Sequence, residues 1–69
     1  MDIAEIKKLP RNKVGKTLSN EFNSGGTLVT VDEYHDANAK RVYQVDEHNR
    51  RYREADSSTV GSYGPWQVW

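Results

Sequence analysis

The sequence predicts an α+β fold in which two short N-terminal helices precede a three- or four-stranded antiparallel β-meander. Two observations support this prediction. Apolar residues recur at helical spacing before residue 23, and β-branched and aromatic residues cluster in short runs between residues 27 and 55. The 69 residues form one small domain, 1–69, because a chain this short buries only about 60% of the surface that its unfolded form exposes.

The first predicted helix begins at Asp2, whose carboxylate can accept hydrogen bonds from the free N–H groups of the first turn. Ile3, Ile6 and Leu9 follow at three-residue spacing, so they share one face of the helix. Pro10 then ends it, because proline lacks the N–H group that would continue the helical hydrogen bonding.

The second predicted helix rests on Val14, Leu18 and Phe22, which recur every four residues and would form one apolar stripe. The sequence NSGG, at 23–26, supplies the signal that ends it. Gly15 weakens this helix by about 1 kcal/mol relative to alanine.

The stretch from residue 27 to residue 55 fits two different structures. Val31, Tyr34, Val42, Val45 and Tyr52 fall on one side of a helical wheel, which gives the alternative of a mostly α protein with one long helix, 31–55. The apolar residues of that face are all valine or tyrosine, however, and these residue types favour strands. We therefore prefer three strands, TLVTV, RVYQV and RYREA, separated by the turn-forming sequences HDANAK and EHNR.

The last segment, 57–69, contains no charged side chain and carries both tryptophans. We expect it to dock as an edge strand. In an extended chain Trp66 and Val68 share one face while Trp69 points the other way. Trp66 is therefore expected to belong to the fold, and Trp69 is expected to be more available to a partner.

No catalytic, metal-binding or cofactor signature survives inspection, so we expect a protein that is not an enzyme and uses no cofactor. His35 and His48 stand beside carboxylates, but two turn-flanked histidines do not make a convergent metal site. The chain has no cysteine and no apolar run long enough to span a membrane, which predicts a cytoplasmic protein without a membrane partner. A chain this short also leaves little room for the pocket that a small-molecule substrate needs.

Two candidate binding surfaces emerge from the charged residues. The first combines the densest positive charge of the chain with two isoleucines of the first helix, and such charge can steer association with an acidic protein surface. Its residues are Ile3, Ile6, Lys7, Lys8, Arg11, Lys13 and Lys16. The secondary candidate surface places arginines beside aromatic rings, and its residues are Arg50, Arg51, Tyr52, Arg53 and Trp69.

These observations predict a monomeric, non-catalytic regulator or inhibitor that binds a larger host enzyme or complex, of the kind that phages and mobile elements encode. The alternative is a small nucleic-acid-binding regulator that sets the basic N-terminal helices against phosphates. The formal net charge of zero favours the first reading, because nonspecific affinity for DNA comes mainly from neutralised phosphates.

Overall fold

A computed structural model of the chain describes residues 2–59 and 62–69, without the side chains of Lys13 and Thr59. Within these residues the protein is one antiparallel sheet with strand order β1-β2-β3-β4-β5 and one short helix before it. The elements are α1 (Ile3–Ile6), β1 (Arg11–Phe22), β2 (Leu28–Asp36), β3 (Arg41–Asp46), β4 (Arg51–Asp56), a 3₁₀ turn (Ser57–Thr59) and β5 (Gln67–Val68).

The predicted fold class is wrong, because the residues assigned to a second helix form the longest strand of the sheet. β1 pairs with β2 from its first residue, Arg11, opposite Tyr34, to its last, Phe22, opposite Leu28. Gly15 has a φ of +69°, which is incompatible with a right-handed helix. The apolar spacing of β1 fits a helix locally, but pairing with β2 decides its structure.

The alternative of one long helix is also wrong. Three strands and two turns occupy residues 31–55, and every neighbouring pair of strands is antiparallel. The physical reason is side-chain shape, since valine and tyrosine pack well across neighbouring strands and lose rotamer freedom in a helix.

The helix α1 begins where the sequence predicts and is only one turn long. The Asp2 side chain accepts a hydrogen bond of 3.0 Å from the Glu5 N–H group and caps the helix. Ile6 is fully buried against Tyr34, Tyr43 and Val45 of the sheet. A helix this short is not stable alone, so this contact holds it in place.

The two turns that join β2 to β3 and β3 to β4 share one design. Asp36 and Asp46 end their strands and accept backbone hydrogen bonds from the turns that follow. The Asp36 carboxylate accepts from the N–H groups of Asn38 and Ala39, and the Asp46 carboxylate accepts from that of Asn49. Lys40 and Arg50 then adopt left-handed backbone conformations, with φ of 54° and 51°. Side-chain hydrogen bonds of this kind are why aspartate favours turns.

The sheet has apolar residues on both faces, and α1 covers one of them. This helix face carries Tyr34, Tyr43, Val45 and Tyr52, with Ile3, Leu9 and Trp69 packed around them. The opposite face, called the inner face below, carries Val29, Val31, Val42 and Ala55, all buried. Buried Glu33, Gln44 and Asp46 share the inner face, since Glu33 lies opposite Gln44 in the register.

Contacts between distant strands show that the sheet curls toward its inner face. β1 and β4 are three strand spacings apart, about 14 Å in a flat sheet. Even so, the Glu21 carboxylate lies 3.6 Å from the Arg53 guanidinium, and Asn49 donates to Asn23 at 2.6 Å across two hairpin ends. Because side chains stand roughly perpendicular to a sheet, such contacts require curvature.

The C-terminal segment lies along the open side of β4. Arg51 and Tyr52 pair with Val68 and Gln67, and backbone hydrogen bonds continue this pairing at both ends. The Gly64 N–H group donates to the Glu54 carbonyl at 2.9 Å, and the Trp69 N–H group donates to the Arg50 carbonyl at 3.0 Å. The docked length is therefore longer than the two residues of β5.

The docking of α1 can be tested with Ile6→Ala. Because Ile6 is fully buried, this substitution should lower the free energy of unfolding by about 3 kcal/mol, measured by urea denaturation. Lys8→Ala, at an exposed position after the same helix, should change it by less than about 0.5 kcal/mol. Equal stabilities of the two variants would contradict the docked position of the helix.

Candidate protein-binding surface

The structure divides the predicted N-terminal surface between core and solvent. Ile6 is part of the core and is not available to a partner, whereas Ile3 packs against the core and stays partly exposed. Lys7 pairs with Glu47, and its ammonium group lies 5.4 Å from the ring centroid of Trp69. These contacts tie the helix to the β3–β4 turn and to the C-terminus.

Two further cations of the predicted surface are paired with carboxylates of β2. Arg11 lies 3.0 Å from Asp32, and Lys16 lies 3.2 Å from the buried Glu33. Lys8 is exposed and forms no ion pair with the described residues. The side chain of Lys13 lies outside the described part of the structure. Pairing thus removes much of the positive field that the sequence predicts here.

The secondary surface is split by strand alternation. Arg51 and Arg53 face the inner side of the sheet, whereas Tyr52 lies on the helix face with Trp69, at a centroid distance of 6.2 Å. Arg50 is exposed in the turn, and its side chain has no ion-pair partner among the described residues. The structure therefore does not bring these five residues together.

Trp66 is the centre of a cluster that sequence reasoning did not find. Its ring centroid lies 4.2 Å from the Arg51 guanidinium carbon and 4.4 Å from that of Arg53. The indole N–H group donates to the Glu21 carboxylate at 3.1 Å, and Glu21 also lies within 4.0 Å of Arg51. We call Glu21, Arg51, Arg53 and Trp66 the closure cluster.

The arginines of the closure cluster are held by the inner face as well. Arg51 donates to Asp46 at 2.9 Å, and Arg53 donates to Gln44 at 2.9 Å. The Arg53 guanidinium carbon also lies 4.9 Å from the Tyr63 ring centroid. These partners hold both guanidinium groups against the inner face.

Tyr63 is packed beside this network without joining its hydrogen bonds. Its hydroxyl is buried and has no hydrogen-bond partner among the described residues. Burial, and secondarily the nearby charge of Glu33, raises the pKa of this phenol, while Arg53 opposes the rise. The hydroxyl is therefore neutral at physiological pH.

Asp46 is a fully buried carboxylate that organises the β3–β4 turn. Burial alone would raise its pKa, but hydrogen bonds from the Asn49 side chain, Arg51 and the Asn49 backbone outweigh burial. Together they hold the pKa of Asp46 below its ordinary value of 3.8. The role of this group is structural, since every neighbour named here stabilises its ionised form.

The pH dependence of stability tests that role. A lowered folded-state pKa means that ionised Asp46 contributes stability that is fully present above about pH 5. This contribution is lost as the pH falls through the folded-state value, below 3.8. Urea denaturation between about pH 6 and about pH 2.5 should show a smaller acid loss in Asp46→Asn than in the wild type.

The matched control for this prediction is Ser24→Ala in the exposed turn between β1 and β2, which removes no titratable group. This variant should keep the acid dependence of the wild type. If Asp46→Asn lost stability with falling pH as steeply as the wild type does, the turn would not depend on the Asp46 charge.

Most of the exposed large apolar side chains lie at the β1 edge of the sheet. Of the four exposed large apolar side chains in the described residues, three belong to the β1–β2 hairpin: Val14, 70% exposed, Phe22, 63% exposed, and Leu28. Phe22 lies directly opposite Leu28, so both project from the same face. β1 is also an edge strand, with one side unpaired among the described residues. We call β1, together with Leu28 of β2, the open edge.

Sequence reasoning missed the open edge because it assigned Val14 to Phe22 to a helix. A signal was present in the sequence. The run TLVTV, which is rich in β-branched residues, directly follows the glycine-containing sequence 23–26, as the second strand of a β-hairpin would, whereas residues 11–22 contain only two β-branched residues, Val14 and Thr17.

Cavities and groups of metal-ligating side chains are both lacking in the described residues. No cavity is found in that part of the chain, and none of its histidine, aspartate or glutamate side chains gather in a group of three able to hold a metal ion. No helix among these residues is long and apolar enough to cross a membrane. What the structure does present is a strand edge with apolar side chains.

Fold and surface together define a small, mainly β protein with a curled five-stranded antiparallel meander and one long open edge. The chain matches no protein-family model, no curated protein by sequence and no solved structure by fold.

Proposed function

We propose that this protein is a non-catalytic binding domain that regulates or inhibits a larger protein or complex through its open edge. The observation that carries the proposal is the exposure of Val14 and Phe22 on one long edge strand, with Leu28 of β2 directly opposite Phe22. An edge strand also offers unpaired backbone N–H and C=O groups, which can pair with an extended segment of a partner.

The contrast between the two edges of the sheet supports this choice of surface. β5 spans only Gln67–Val68, which protects its edge by shortness, whereas β1 spans twelve residues. Partial protection exists on β1 too, since Pro10 precedes it and register shifts interrupt its pairing with β2. Such features limit indiscriminate pairing and favour a partner whose shape fits the bulged strand.

The neutralised N-terminal charges support a protein partner over a nucleic acid. Lys7, Arg11 and Lys16 already face carboxylates of the chain, so phosphates would have to compete with these pairs. Nucleic-acid binding therefore remains the weaker candidate.

The absence of cysteine supports the cytoplasm as the compartment. We also propose that the single chain is the form that binds.

The proposal is tested by site-specific photocrosslinking in cells that encode the protein. A photoreactive residue at position 14 or 22 should form an adduct with one defined protein, identified by mass spectrometry and then purified. The same residue at position 68, where Val68 is 78% exposed on the other edge of the sheet, should not.

Affinity for the purified partner should then fall at least about tenfold in Val14→Lys, which corresponds to about 1.4 kcal/mol. Val68→Lys is the matched control and should bind like the wild type. Adducts at position 68 alone, or unchanged affinity of Val14→Lys, would overturn the proposal. Tight binding to duplex DNA with a steep salt dependence would favour the nucleic-acid alternative instead.

A further inference from the structure

The sequence of β1 is nearly self-complementary about Leu18. In an antiparallel pair of two β1 strands with Leu18 opposite itself, Val14 lies opposite Phe22 of the second strand. Thr17 then lies opposite Ser19. Apolar residues meet apolar residues and hydroxyl residues meet hydroxyl residues, which is the pattern that stabilises neighbouring strands.

We infer that the open edge pairs with the open edge of a second copy of this chain, with Leu18 on the two-fold axis. The inference rests on the proposed function only because both assign binding to the open edge. The resulting sheet runs through both protomers, and it covers Val14 and Phe22 of each. A two-fold interface requires one patch that is complementary to itself, and β1 meets that requirement.

Other registers of the same strands fit less well. A shift by two residues in one direction sets Val14 opposite Asn20 and Lys16 opposite Leu18. A shift in the other direction sets Lys16 opposite Phe22. A shift by four residues in one direction sets Lys16 opposite its own copy, and like charges directly opposite each other are destabilising. The same shift in the other direction sets Leu18 opposite Phe22, but it places Val14 opposite Gly26, beyond the end of β1.

Charge is compatible with the Leu18-centred register. Lys16 lies opposite Asn20 of the second strand, so no two like charges face each other between positions 14 and 22. The Glu21 carboxylate accepts from Trp66 and lies beside Arg53 on the inner face, so it places no charge at the edge. The second copy also carries the same bulges, so its twist matches that of the strand it joins.

Self-pairing would regulate the proposed binding activity. A partner that needs the open edge competes with the second copy, so the fraction of binding-competent single chains falls as protein concentration rises. The monomer expected from the sequence is then the active form, and the dimer is a masked form.

Sedimentation equilibrium of the full chain tests the inference. The average mass should rise with concentration toward twice 7.9 kDa in the wild type and in Val68→Lys. Val14→Lys should remain at the single-chain mass because it sets a charge opposite Phe22. A wild type that stays at the single-chain mass at every soluble concentration overturns the inference, as does a dimer that persists in Val14→Lys.

The register is tested by disulfide formation, since the chain has no cysteine of its own. Mixed Val14→Cys and Phe22→Cys chains should crosslink, because directly opposite residues have Cα atoms about 4.5 to 5.5 Å apart. Val14→Cys alone should not, since its two copies lie roughly 26 Å apart. Crosslinking of Val14→Cys to itself, or none in the mixture, would overturn this register.

The two proposals fail separately. If a partner crosslinks at position 14 and the wild type never dimerises, the proposed function is supported and the inferred dimer is overturned. Dimerisation without any partner adduct would do the reverse.

Discussion

The interaction on which the architecture depends is the bond between the Glu21 carboxylate and the Trp66 indole, at 3.1 Å, with Arg51 and Arg53 packed against both. It joins the end of β1 to the segment that precedes β5, across a sheet in which these elements lie at opposite ends. Each arginine–indole contact contributes about 0.5 to 2 kcal/mol, a substantial share of the stability of a domain this small. Together with the hydrogen bond between Asn49 and Asn23, it holds the sheet curled over its inner face.

The closure cluster also explains why the exposed part of β1 is its outer edge and not its inner face. The inner side of β1 is drawn toward Arg51 and Arg53 through Glu21, and Val29 and Val31 of the neighbouring strand are buried on the same inner face. The outer edge is left without a strand beside it among the described residues. A charged network that stabilises the fold thereby leaves apolar side chains and backbone groups for binding.

Local signals were readable in the sequence and long-range ones were not. The Asp2 cap and the three strands between residues 27 and 56 follow from neighbouring residues alone. β1 was misassigned because the spacing of Val14, Leu18 and Phe22 also fits a helix, and its pairing with β2 is not a local property. The alternation of Arg51, Tyr52 and Arg53 could be predicted. The position of Trp66 over both arginines could not, because it depends on the curvature of the sheet, which no local sequence pattern encodes.

A double-mutant cycle between Glu21→Ala and Trp66→Phe tests this closure most directly. Trp66→Phe keeps an aromatic ring but removes the N–H donor, so the cycle isolates the bond between the carboxylate and the indole. Free energies of unfolding from urea denaturation should give a coupling energy of about 1 kcal/mol or more. Additivity within about 0.3 kcal/mol would contradict the account, because the two ends of the sheet would then be held by other contacts.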